Sequence, residues 1–119
     1  MSYEFYKVLH ILGLSLVVLS LGGIILHVIN GGSKESNGFK KGAMMTHGIG
    51  LLLLLVAGFG MLAKQGIHEI PGWVAGKLVI WLILGGLVAV AYKKQQLARK
   101  LWIVVPVLVF VATTLAIYK

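Results

Sequence analysis

The sequence predicts an all-α membrane protein, an antiparallel bundle of four transmembrane helices, and three observations predict it. First, 59% of the 119 residues are apolar and only 12% are charged, about half the charged share of an ordinary soluble domain. A chain of this size folding in water buries only about two-thirds of its unfolded surface, so the excess apolar side chains need lipid as their solvent. Second, the charges punctuate four apolar stretches, each within the roughly 17–25 residues that cross a hydrocarbon core of about 30 Å. Third, the connections between them are short and polar, which forces sequential helices to run antiparallel.

The first stretch, Phe5–Ile29, lacks a small-residue cleavage site after it and exceeds the length of a signal-peptide core, so it is expected to remain in the mature protein. A turn-rich loop from Asn30 to Gly38 follows, rich in Gly, Ser and Asn. The second stretch is Gly42–Ala63, closed by a loop from Gln65 to Gly72 that contains Pro71. The third, Trp73–Tyr92, ends at the polar hinge Lys93–Lys100, and the fourth is Leu101–Tyr118. None of the four shows the period-2 alternation of a membrane strand, and together they form one transmembrane domain. Pro106 is expected to kink the fourth helix or to mark its first turns, because its ring removes a backbone donor.

Small residues let helices approach closely in lipid, where burial of apolar area contributes little. The second helix carries a seam of Ala43, His47, Gly50, Leu54, Ala57 and Met61. The third offers Gly76, Gly85, Gly86 and Ala89, and the first Gly13, Ser15, Ser20, Gly22 and Gly23.

The net charge of +8 reads as an orientation signal. The ends that carry the first and third loops hold Lys34, Lys40, Lys41, Lys93, Lys94, Arg99 and Lys100, against Lys7, Lys64, Lys77 and Lys119 at the other. Seven against four of the 11 basic residues predicts both termini outside the cytoplasm of a bacterial inner membrane. The lipid bilayer is the expected partner, with a larger membrane complex or a homo-oligomer as a further one. Basic residues spaced between apolar runs do not form the basic face of a nucleic-acid-binding module, so no nucleic acid is expected. Aromatic residues at the helix ends, Tyr3, Phe5, Tyr6, Trp73, Trp102 and Tyr118, read as an interfacial belt.

Ionisable groups inside the membrane are costly and are the first candidates for function. They are His10, His27, His47 and Lys77, with Lys7 at the boundary. His10 and His27 lie on one helix about 25 Å apart, too far to share a ligand. His47, about five residues into the second helix, is expected at nearly the depth of His27. Two His on adjacent antiparallel helices at one level match the axial ligation of a b-type haem iron, with Gly22, Gly23, Gly48 and Gly50 making room. At the opposite level His10 has Met61, Lys77, His68 and Glu69 as possible companions, for His/Met ligation or for a proton-handling catalytic pair of His10 with Lys77. Lys77 also fits a snorkelling Lys one turn beyond an interfacial Trp.

With no Cys in the chain, disulfides, Fe–S clusters, thiolate zinc sites and Cys nucleophiles are excluded. There is no Asp, no HExxH and no phosphate-cradling GxxxxGK[ST], which removes intramembrane aspartyl and metalloproteolysis and ATP hydrolysis.

Two motifs carry a family resemblance. Lys7-Val8-Leu9-His10 resembles the K-x-L-H opening of the HemJ-type protoporphyrinogen oxidases, the SirB family and the CopD copper-resistance domain. Thr46-His47, Gly58 further along that helix, and Pro71-Gly72-Trp73-Val74-Ala75-Gly76-Lys77-Leu78 are similar to SirB in particular. The likeness spans most of the chain. It implies that His10 and Lys77 match the His and Lys of HemJ-like proteins, which are associated with haem and porphyrin oxidation, and that His47 matches the SirB position. The aromatic-Gly-Pro-Arg pattern that ends the first HemJ helix is replaced here by Gly22-Gly23-Ile24-Ile25-Leu26-His27, so the resemblance is to SirB more than to HemJ.

The leading expectation is thus a small membrane protein of SirB/HemJ type that holds haem b or a porphyrin for redox or porphyrin chemistry, an oxidoreductase if it is an enzyme. Depth favours His27 and His47 as iron ligands, whereas resemblance favours His10. The competing expectations are a cofactor-free accessory or scaffold subunit and an oligomeric proton or ion conductor using His10 and Lys77.

Overall fold

In a computed structural model, which describes residues 2–118, the chain forms four long helices: α1 (Tyr3–Ile29), α2 (Lys40–Lys64), α3 (Gly72–Lys93) and α4 (Ala98–Ile117). All four are long and apolar enough to cross a membrane, and no strand is present among the described residues. The expected spans are recovered with shifts at their ends. Helix α1 starts two residues early because the Ser2 hydroxyl caps it, accepting a hydrogen bond from the Phe5 amide at 3.2 Å. Helix α4 starts at Ala98 because a 3-10 turn over Gln95–Leu97 leads straight into it, so Arg99 and Lys100 occupy helical rather than hinge positions. The helix runs on through Pro106, whose ring faces outward.

Helix α1 is the hub, packing against each of the other three, while α2 and α3 meet only sparsely. The tightest seam joins α1 to α2. A Cβ on Gly13 would stand 2.8 Å from the Gly50 carbonyl oxygen, and one on Gly50 2.8 Å from that of Gly13, so the two backbones are in contact. The expected α2 seam is the one that faces inward: His47, Gly50, Leu54 and Ala57 are buried. On α1 Gly13 and Ser20 are buried, but Ser15 and Gly23 face outward.

Helix α3 matches expectation in part. It buries Val74, Ile80, Leu84, Leu87, Val88 and Ala91, while Gly86 and Ala89 are exposed. Of the other expected small residues, Gly76 packs on α4, where a Cβ would stand 2.9 Å from Leu115 Cδ1, and Gly85 faces Leu51 of α2 at 3.5 Å. The core unites Val17, Leu21, Ile24 and Ile25 of α1 with Leu84, Leu87 and Val88 of α3 and Leu101 and Val105 of α4.

At the loop end, Asn37 donates to the Tyr92 hydroxyl at 2.9 Å, tying the first loop to the end of α3. The four-helix order brings the beginnings of α1 and α3 and the ends of α2 and α4 together at the opposite, terminal end. Lys119, part of the orientation reading, lies outside the described residues.

Candidate functional site

The terminal end of the bundle forms a half-open cavity of about 400 Å³ to which all four helices contribute. Each presents one stripe at helical spacing: Tyr3, Lys7, His10 and Leu14 from α1, Leu54, Gly58 and Met61 from α2, Trp73, Lys77 and Trp81 from α3, and Ala112 and Ala116 from α4. A volume of this size lies in the range of small-molecule pockets, and the lining is chiefly apolar with a few polar groups. His10 and Lys77, joined on sequence grounds as a pair, both line this cavity. Met61 lines the cavity as well. His68 and Glu69 do not; both are exposed in the loop after α2.

His10 is held by the backbone. Its Nδ1 lies 3.0 Å from the Leu54 carbonyl oxygen, and since a carbonyl only accepts, Nδ1 carries the proton and donates. In the neutral ring Nε2 is then the lone-pair nitrogen, the state of an imidazole that ligates a metal or accepts a proton. Gly58 lies beside the ring, where a Cβ would stand 3.4 Å from His10 Cε1 in ordinary contact.

His27 shows the opposite arrangement. Its Nε2 donates to the Ser33 carbonyl oxygen at 2.9 Å and lies 3.2 Å from the Ser36 hydroxyl, so it pins the loop that follows α1. Gly32 sits directly over this ring, where any Cβ would collide with it.

His47 is buried, 4% exposed, with Nδ1 3.3 Å from the Ser20 hydroxyl. Ser20 also donates to the Val17 carbonyl at 3.0 Å. The other nitrogen, Nε2, lies toward Gly85 of α3 and has no hydrogen bond of ordinary geometry.

The expected equal depth of His27 and His47 does not hold. Because His10 faces Leu54, Gly13 faces Gly50 and Ser20 faces His47, His47 sits at the level of Ser20, seven residues or about 10 Å along α1 from His27. The difference arises because α2 begins at Lys40, which carries His47 two full turns into the bundle. Neither His27 nor His47 lines the cavity. Of the four glycines expected to make room beside this pair, Gly50 is filled by Gly13 and Val17, while Gly22, Gly23 and Gly48 have open space beside them.

Among the described residues no three His, Asp or Glu side chains form a metal-binding group. Two contributors were not legible in the sequence. Trp81, inside the third apolar stretch, donates its indole N–H to the Leu51 carbonyl oxygen at 2.9 Å and so braces α3 against α2 beside the cavity. Lys7, read as a boundary residue, joins the lining. Its i, i+3 relation to His10 was the available signal.

No family model matches the chain, and neither a curated protein nor a solved structure matches it.

Proposed function

We propose that this chain is a small multi-pass membrane protein of the SirB type that binds a b-type haem or a porphyrin in the cavity at its terminal end. The observation that carries this reading is the 3.0 Å contact of His10 Nδ1 with the Leu54 carbonyl oxygen, which commits Nδ1–H and leaves Nε2 as the lone-pair nitrogen of a ring that lines the cavity. His10 would ligate the iron. Lys7, exposed at the outer end of the cavity, would receive an acid group, and Trp73 and Trp81 supply aromatic walls. Haem supplies one-electron redox chemistry when bound. The chain's part is to fix the imidazole, set a cation at the rim and keep most of the cavity apolar.

The His27 and His47 pair supports this function less well. His27 Nε2 is engaged by Ser33, His47 is wedged between Ser20 and α3, and about 10 Å of helix separates their levels.

Absorption spectroscopy of the purified protein, oxidised against dithionite-reduced, tests the reading. A Soret band is expected in the wild type and in His27→Ala, and its loss in His10→Ala, with helicity followed by circular dichroism. A pigment-free wild type, or a band that survives His10→Ala, overturns it. The outcome would then favour the cofactor-free subunit, whose support is that α4 buries only 11% of its apolar span.

A further inference from the structure

A second recess lies at the loop end of the bundle, remote from the terminal cavity. An open groove of about 280 Å³ runs between the last turn of α1 and the first turns of α4, lined by Leu26, Ile29, Arg99, Trp102 and Ile103. Its surroundings carry one sign of charge. Of the chain's three acidic residues, Glu4 and Glu69 belong to the terminal end, which leaves Glu35 against the seven basic residues of the loop end. Arg99, in the first turn of α4, is exposed, and so are Trp102 and Ile103 one turn further in.

Depth and shape point the same way as charge. Helix α1 has 27 residues, about 40 Å at 1.5 Å per residue, roughly 10 Å more than a hydrocarbon core. Its last turn and the start of α4 beside it therefore reach the headgroup boundary, the level at which exposed Trp is enriched. Toward the bilayer centre, Gly22 and Gly23 stand one turn before Leu26 on the same face of α1. A Cβ on either would meet no atom within 4 Å, so helix packing requires neither glycine, and both lower helix propensity relative to Ala. On α4 the exposed Val107 stands one turn beyond Ile103. A trough with a cation at its outer end and two residues without side chains along its inner wall suits a headgroup followed by an acyl chain.

From these observations we propose that the α1–α4 groove binds an anionic phospholipid of the bilayer. The Arg99 guanidinium takes the phosphate through paired N–H donors, and the Trp102 indole lies at the glycerol level. One acyl chain runs inward past Ile103 and Leu26 and over Gly22 and Gly23. A zwitterionic lipid brings its own cation beside the phosphate, which Lys93, Lys94 and Lys100 at the same end of the bundle repel. The groove shares no lining residue with the terminal cavity, so the proposal does not depend on haem binding.

Native mass spectrometry of the full chain released from detergent, with equimolar phosphatidylglycerol and phosphatidylcholine of the same acyl chains added, tests this. The wild type is expected to retain one phosphatidylglycerol per chain in preference to phosphatidylcholine. Arg99→Gln should lower that preference about fivefold, the weight of one basic residue at an anionic lipid surface, and Arg99→Lys should keep part of it. Gly23→Leu, which adds a side chain where a Cβ meets nothing, should lower retention of both lipids with helicity by circular dichroism unchanged. Equal retention of the two lipids by the wild type, or a wild-type preference in Arg99→Gln, overturns the proposal. So does a Lys93→Gln/Lys94→Gln variant that loses as much preference as Arg99→Gln, because the selectivity would then belong to the diffuse charge of the loop end. A lipid-free dimer of the wild type that Gly23→Leu dissociates would make the groove a contact between copies and overturn it as well.

Discussion

Among the described residues, His47 Nε2 is the buried side-chain nitrogen without a hydrogen-bond partner. A polar atom stripped of water and unpaired costs stability, and the Ser20 contact does not need the imidazole, because the Ser20 hydroxyl already donates to Val17. Replacement of His47 by a ring of similar volume should therefore be tolerated. Thermal unfolding in detergent is expected to place His47→Phe within about 1 kcal/mol of wild type. His47→Ala, which opens a void where α1, α2 and α3 meet, should lose about 2–5 kcal/mol. A large loss in His47→Phe would mean that the nitrogen has a partner that binds it tightly. The three helical His residues also mark the limit of what sequence shows at this scale. Spacing placed them on their helices but missed the level of His47 relative to His27, and it could not show which ring nitrogen carries the proton. That depends on whether a carbonyl such as Leu54 or Ser33 happens to face the ring.

At the scale of the helices, glycine content alone did not distinguish packing from exposure. The α2 seam was legible because His47, Gly50, Leu54 and Ala57 recur at heptad spacing. On α3 the small residues divide: Gly76 meets Leu115 of α4 and Gly85 meets Leu51 of α2, whereas Gly86 and Ala89 face outward and large aliphatic residues supply the buried face. Gly50 and Gly48, two residues apart on α2, convert this contrast into a measurement. Any Cβ at Gly50 meets the Gly13 carbonyl and the Val17 amide, whereas at Gly48 nothing lies within 4 Å. Gly50→Ala should force the α1 and α2 backbones apart and cost about 1–3 kcal/mol. Gly48→Ala should be neutral or gain up to about 1 kcal/mol from reduced backbone freedom. Thermal melts followed by circular dichroism compare the two directly. Equal effects would contradict the close α1–α2 approach.

For the molecule as a whole, four antiparallel helices put Ser2 and Gln65 at one end and Ser36 and Gln96 at the other. The fold fixes which positions share a side, but the distribution of Lys and Arg is the argument for which side faces the cytoplasm. The chain contains no Cys, so single Cys substitutions at these four exposed positions report topology without background. With a membrane-impermeant maleimide on spheroplasts, Ser2→Cys and Gln65→Cys should label at once, and Ser36→Cys and Gln96→Cys only after permeabilisation. The reverse pattern would invert the molecule and leave the bundle intact, whereas labelling that split Ser2 from Gln65 would break the up-and-down order. The result also bears on the chamber. Lys7, His10 and Lys77 lie at the terminal end, so labelling of Ser2 from outside would turn the cavity toward the periplasmic leaflet, the side that carries fewer of the chain's positive charges.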